Sequence, residues 1–183
     1  MDLNILDWFQ TLHTPILDKI MTSITKLGDA GIFWIILTLL FLIIPKMRKT
    51  GIIMAAALIM DLLICNVAVK NLVARTRPYE VNTSVQLLVA KLHDYSVPSG
   101  HTAASFASVT ALYLAGEKKL WKPALVLACL IAVSRLYLYV HYPTDVLGGM
   151  IFGILAGFAG YWIVKLLETK LSGRKNAGKQ VRR

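Results

Sequence analysis

Residues 98–116 read PSGHTAASFASVTALYLAG, a short polar motif at the head of an apolar helical run. Ser99 stands where a helix N-cap is favoured, and the free N–H groups of the turn behind it make an anion site. Gly100 has no Cβ, so the backbone can approach a ligand closely there, and His101 projects toward the same place. Two further polar stretches lie at the ends of apolar runs: residues 70–78 (KNLVARTRP) before the motif and residues 134–145 (SRLYLYVHYPTD) after it.

The 183 residues are 56% hydrophobic and the mean hydropathy is +0.61. Soluble domains carry roughly 45–50% apolar residues, so this is the composition of an integral membrane protein. Five apolar runs follow one another at 31–45, 51–69, 98–116, 123–140 and 146–167. The first is short against the roughly 20 residues that cross a bilayer, and it is expected to begin a turn earlier. Residues 1–27 space Leu3, Leu6, Phe9, Ile16, Ile20 and Ile24 at helical intervals around Pro15. They read as an amphipathic segment at the membrane interface or as a sixth span. The expected fold is all-α: a polytopic membrane bundle of five or six transmembrane helices, one domain over residues 1–169, with a basic tail over 170–183.

The net charge of +10 is concentrated where topology uses it. Lys46, Arg48 and Lys49, then Lys118, Lys119 and Lys122, then the tail with Arg174, Lys175, Lys179, Arg182 and Arg183, are each separated by two spans. The positive-inside rule puts all three on the cytoplasmic side. The three polar stretches therefore share the outer face. The tail lacks interleaved aromatics, so it reads as a topology signal and a contact for anionic lipid rather than a nucleic-acid binder. Cys65 and Cys129 both lie inside apolar runs, where cysteine acts as a small hydrophobe.

Taken singly, each polar stretch has a plain reading. Lys70 and Arg77 can snorkel at an interface, and Asp145 can serve the first turn of a helix. Arg135 is harder to explain, because a buried arginine in a span needs an anion or a cavity. His141 stands four residues before Asp145, close enough for the carboxylate to bind one ring nitrogen and leave the other as nucleophile or base.

Together the stretches resemble the type 2 phosphatidic acid phosphatase superfamily, whose motifs are K-x6-RP, PSGH and SR-x5-H-x3-D. This chain reads Lys70-x6-Arg77-Pro78, Pro98-Ser99-Gly100-His101 and Ser134-Arg135-x5-His141-x3-Asp145, with no departure at any motif position. The resemblance implies that His141 attacks phosphorus, that Asp145 orients its ring and that His101 protonates the leaving oxygen. Lys70, Arg77, Ser99, Gly100 and Arg135 would hold the phosphoryl oxygens. No metal or cofactor enters such a scheme. The implied substrate is a lipid phosphate or diphosphate, with undecaprenyl pyrophosphate, phosphatidylglycerol phosphate and phosphatidate as candidates, in a bacterial cytoplasmic membrane. A transporter or binder of anionic lipid headgroups and a lipid phosphotransferase are the alternative readings.

Three other features stand apart. Asp61 lies more than two turns below Lys70 and is expected to make an interhelical hydrogen bond or to be protonated. Gly149, Gly153 and Gly157 give one helix face a close approach, used within the chain or in a homodimer. Residues 79–97, with Leu87, Leu88, Val89 and Lys91, are expected to form a lid over the site.

Overall fold

The computed structural model describes the backbone of residues 2–180 and the side chains to residue 172, and among these residues there are helices and no strands. Arg174, Lys175, Lys179, Arg182 and Arg183 of the basic tail lie outside the described side chains. In chain order the helices are α1 (Asp2–Gln10), α2 (Pro15–Leu27), α3 (Ile32–Ile43), α4 (Arg48–Asp61), the single turn α5 (Pro78–Val81), α6 (Gly100–Leu114), α7 (Trp121–Tyr137) and α8 (Pro143–Gln180). Beyond Asp61, α4 runs on as a π-helical segment, Leu62–Val69, and a last turn, Lys70–Val73.

Local chemistry sets the boundaries. The Thr14 hydroxyl accepts from the Leu17 N–H at 3.3 Å, Pro15 supplies the first helical φ, and Asp18 and Lys26 complement the two ends of α2. The first apolar run does not begin a turn earlier. Ala30 and Gly31 take positive φ of 49° and 67°, which breaks the chain into α2 and α3, two pieces bent by 42°.

By length and composition, Pro45–Val81 and Pro143–Ser172 can cross a membrane, and the bent pair Pro15–Leu27 and Asp29–Ile43 makes a third candidate. Helices α6 and α7, of 15 and 17 residues, reach about 22–26 Å at 1.5 Å per residue.

The core is built on the glycine face of α8. A Cβ on Gly149 would stand 2.6 Å from the Ser99 carbonyl, and one on Gly153 would stand 2.3 Å from that of Ala103. On Gly160 it would meet the Ala57 backbone nitrogen at 2.4 Å. The glycines let α6 and α4 pack backbone to backbone on α8 within the same chain. Trp34, Met54, Ala57, Ala107, Leu112 and Ile131 fill the interior around this contact, and the buried indole N–H of Trp34 donates to Ser105 Oγ at 2.9 Å. The basic loops gather at one end, where Lys49 pairs with Glu168 at 2.8 Å and Thr50 donates to Glu117 at 2.7 Å. The three polar motifs meet at the other.

Candidate active site

Five chain segments deliver the motif residues to one end of the bundle. Lys70 comes from the end of the π-helical segment, Arg77 from the cap of α5, Ser99 to His101 from the head of α6, and Arg135 from the last turn of α7. His141 and Asp145 come from the α7–α8 corner. Asp145 holds two of these parts together: its backbone carbonyl accepts the Ser99 N–H at 3.0 Å, and its carboxylate accepts from the Ser96 hydroxyl and the Tyr142 N–H. Lys70, Arg77 and Arg135 are at most 8% exposed, and buried cations require anionic partners.

His141 is held from both sides. Its Nε2 lies 3.3 Å from Arg77 Nη1. A guanidinium can only donate, so Nε2 carries the lone pair and Nδ1 the proton of the neutral ring. Nδ1 faces Asp145 Oδ2 at 3.6 Å, beyond hydrogen-bond reach, and has no partner. The expected His141–Asp145 bond is therefore not closed, because the carboxylate is already engaged by Arg75 at 2.6 Å as well as by Ser96 and Tyr142. Burial holds the imidazole far below its ordinary range, at about 3, with Arg135 and Arg77 acting in the same direction and Asp145 against it.

Ser99 is at the cap position of α6 but makes no capping bond. Its oxygen accepts from Thr102 Oγ1 at 3.0 Å instead. Gly100 keeps the helix head open, since a Cβ there would come within 3.3 Å of Asn66 Oδ1 and 3.9 Å of Lys70 Nζ.

A loop carboxylate stands between two of the cations. Arg77 donates from Nη2 to Asp94 Oδ1 at 2.6 Å and from Nε to the Asp94 carbonyl at 2.8 Å, while Lys70 Nζ binds Asp94 Oδ2. Burial works against the charge on Asp94, but Lys70 and Arg77 prevail and hold its carboxyl at about 2. The segment that carries it, 82–97, packs through Leu87, Val89 and Leu92 onto Tyr79, Tyr137 and Tyr139. Its Leu92 and Asp94 line the cavity beside Lys70 and Arg77, and Leu88 is exposed.

The corner between α2 and α3 supplies the remaining partners. Asp29 Oδ1 lies 2.8 Å from His101 Nε2, and the Thr25 hydroxyl accepts from Arg135 Nη1. A Cβ on Gly28 would fall 2.7 Å from His101 Cδ2, so a larger residue in this corner would push the His101 ring out of place. Asp29, Thr25, Arg75, Asp94 and Ser96 all escaped the motif reading. Asp29 did leave a trace, as a carboxylate inside the break Gly28-Asp29-Ala30-Gly31 between two apolar runs.

From His141, Arg77 and His101 a cavity of about 660 Å³ runs down between α3 and α4. Its walls are apolar, and Ile35, Leu39, Ile59 and Leu62 on its flank are 45–57% exposed, so it opens sideways onto the lipid-facing surface. Asp61 lines it and its Oδ1 has no hydrogen-bond partner. The interhelical hydrogen bond expected of Asp61 is thus not made by that oxygen.

The family model described as the PAP2 superfamily matches residues 50–168, which include all three motifs and leave out α1 to α3. The undecaprenyl-diphosphatase of Sulfolobus acidocaldarius is 32% identical over 142 residues, 78% of this chain and 68% of that protein. The transmembrane PAP2-type phosphatidylglycerolphosphate phosphatase of Bacillus subtilis superposes with a TM-score of 0.70 at 30% identity, covering 92% of this chain and 85% of its own. LpxE of Aquifex aeolicus does so with a TM-score of 0.76 at 26% identity, over 87% of this chain and 93% of its own.

Proposed function

The chain belongs to the PAP2 superfamily, and we propose that it hydrolyses a lipid phosphate monoester or diphosphate at the outer face of a bacterial cytoplasmic membrane. The cavity carries this reading, because one continuous space joins the buried histidine and its cations to an apolar groove open toward lipid. A soluble phosphate ester has no use for such a groove, whereas a lipid keeps its tail in it while its headgroup meets the cations. Five spans, α3, α4, α6, α7 and α8, fit the bundle, with the basic loops and the C-terminus cytoplasmic.

In the proposed reaction the phosphoryl oxygens take the place of the Asp94 carboxylate on Lys70 and Arg77. Arg135 and the N–H groups at the head of α6 complete the cradle. The lone pair of His141 Nε2 forms the N–P bond as the bond from phosphorus to the lipid oxygen breaks. That oxygen takes a proton from Nδ1 of the doubly protonated His101, whose Nε2–H stays on Asp29. Water then adds to phosphorus, the N–P bond breaks back to Nε2, and the proton of the water returns to His101. Asp145 stabilises the Nδ1–H of His141 as positive charge develops on the ring. These side chains complete the cycle without a metal.

The test is phosphate release by purified protein in detergent with a chelator present, from undecaprenyl diphosphate, phosphatidylglycerol phosphate and phosphatidate, with His141→Ala beside it. Release by the wild type and its loss in the folded variant supports the reading. Saturable binding with no release from any of the three would make the chain a binder or carrier.

A further inference from the structure

Asp61 and Lys70 are nine residues apart, and at 100° per residue an α-helix would put them on opposite faces. They nonetheless line the same cavity, with Asn66 between them. The cause is the eight-residue π-helical segment Leu62–Val69, whose i→i+5 bonding widens each turn and rotates the lower part of the helix toward the groove. π-helical turns are rare and are found mostly at functional sites. This one brings a carboxyl group under the phosphate cations that an unbroken helix would have turned toward lipid or a neighbour.

The side chain that arrives there is 3% exposed, and its Oδ1 is unpaired. A buried polar oxygen without a partner in an apolar wall is costly, and a ligand that supplies the partner recovers that cost. The other polar group on this wall, Asn66, offers Oδ1 to Lys70 at 3.4 Å, leaving its amide N–H groups to the groove. Lys70 Nζ reaches back to Asn66, five residues above Asp61, so the carboxyl lies about 7 Å along the helix from that cation. That depth corresponds to the part of a lipid just inside its headgroup.

We propose that Asp61, with Asn66, forms a second subsite that hydrogen-bonds the linkage oxygens of a glycerolipid phosphate between its phosphate and its hydrocarbon chains. A carboxyl group accepts from a glycerol hydroxyl and, as the acid, donates to an ester carbonyl, and the Asn66 amide donates to either oxygen. A polyprenyl chain presents neither group at this depth. The subsite therefore selects glycerolipid phosphates over polyprenyl phosphates. This rests on the lipid phosphatase reading above and narrows its substrate class.

The experiment compares wild type, Asp61→Leu and Asp61→Asn, each checked for a monodisperse fold in detergent. The substrates are dioleoyl phosphatidate, its dialkyl ether analogue, lysophosphatidate and a polyprenyl monophosphate. In the wild type we expect kcat/KM for the glycerolipids to exceed that for the polyprenyl phosphate at least tenfold. Asp61→Leu removes that preference and leaves the polyprenyl rate within twofold, while Asp61→Asn keeps part of it. A loss on both acyl substrates that spares the dialkyl ether identifies the carbonyl as the group bound, and one confined to lysophosphatidate identifies the hydroxyl. Equal losses on all four substrates, or a wild type that prefers the polyprenyl phosphate, overturn the subsite and leave the phosphatase reading intact. If no substrate releases phosphate, both readings fail together.

Discussion

Replacing Asp29 by Asn tests whether His101 works as the general acid. Asp29 Oδ1 lies 2.8 Å from His101 Nε2, so the substitution keeps the shape and exchanges a charged acceptor for a neutral one. Hydrogen bonds to charged groups contribute about 1.5–3 kcal/mol, which at about 1.36 kcal/mol per tenfold is a loss of roughly 10- to 150-fold in kcat. The loss should depend on the leaving group. A lipid alkoxide needs the proton from His101, whereas p-nitrophenolate departs without it. The assay is kcat for a lipid phosphate and for p-nitrophenyl phosphate on wild type and Asp29→Asn. We expect the large loss on the lipid and less than a threefold loss on p-nitrophenyl phosphate. The same loss on both would show that Asp29 supports the site as a whole and does not act through the proton of His101.

Asp94→Asn weakens the internal anion that competes for Lys70 and Arg77, so inhibition by inorganic phosphate should tighten about fivefold, the difference between charged and neutral hydrogen bonds. Weaker inhibition would make Asp94 a part of the phosphate cradle. Burial keeps His141 neutral above about pH 3, so the nucleophile should impose no acid limb on kcat/KM between pH 5 and 7. Any limb there should follow the second ionisation of the substrate phosphate, near about 6, and shift when a substrate of different phosphate pKa is used. The sign for stability is the same: the unfolded histidine binds a proton below its ordinary pKa of about 6.5 and the folded one does not, so this group's contribution rises with pH from about 3 to 6.5. Gly153→Ala forces a Cβ to within 2.3 Å of the Ala103 carbonyl oxygen and should cost about 1–3 kcal/mol, read as a lower thermal unfolding midpoint in detergent. An unchanged midpoint would mean that α6 and α8 pack less closely than described.

The motif residues were legible because each carries chemistry that an apolar run does not otherwise contain. Lys70, Arg77, His101 and His141 line one cavity, Arg135 is buried against Thr25, and the glycines of α8 serve close packing within the chain. The partners of these residues were not legible. Asp29, Thr25 and Arg75 come from segments whose approach depends on the bend at Ala30 and Gly31 and on how α1 and α2 lie against α7. No spacing rule encodes that approach. Asp94 looked like an ordinary loop residue until the chain brought it between Lys70 and Arg77. Asp61 reads from the sequence as too deep for the site, more than two turns below Lys70, and an ideal α-helix would also turn it to the opposite face. The π-helical segment reverses that geometry, and its apolar sequence, LLICNVAV, does not distinguish it from ordinary helix. Ser99 shows the opposite case: a residue well suited to capping sits at the cap position, yet its hydroxyl is taken by Thr102.

The central claim is that His141 carries the phosphoryl group between the lipid and water. The most direct measurement is a rapid quench into alkali, where phosphohistidine survives, during turnover of a lipid phosphate, followed by mass analysis of the peptide containing residue 141. A phosphoryl group on His141 in the wild type, formed at least as fast as turnover and missing in His141→Ala, is the predicted result. Full turnover with no phosphorylated enzyme at any quench time, and a single inversion of configuration at phosphorus, would contradict it and leave direct attack by water as the mechanism.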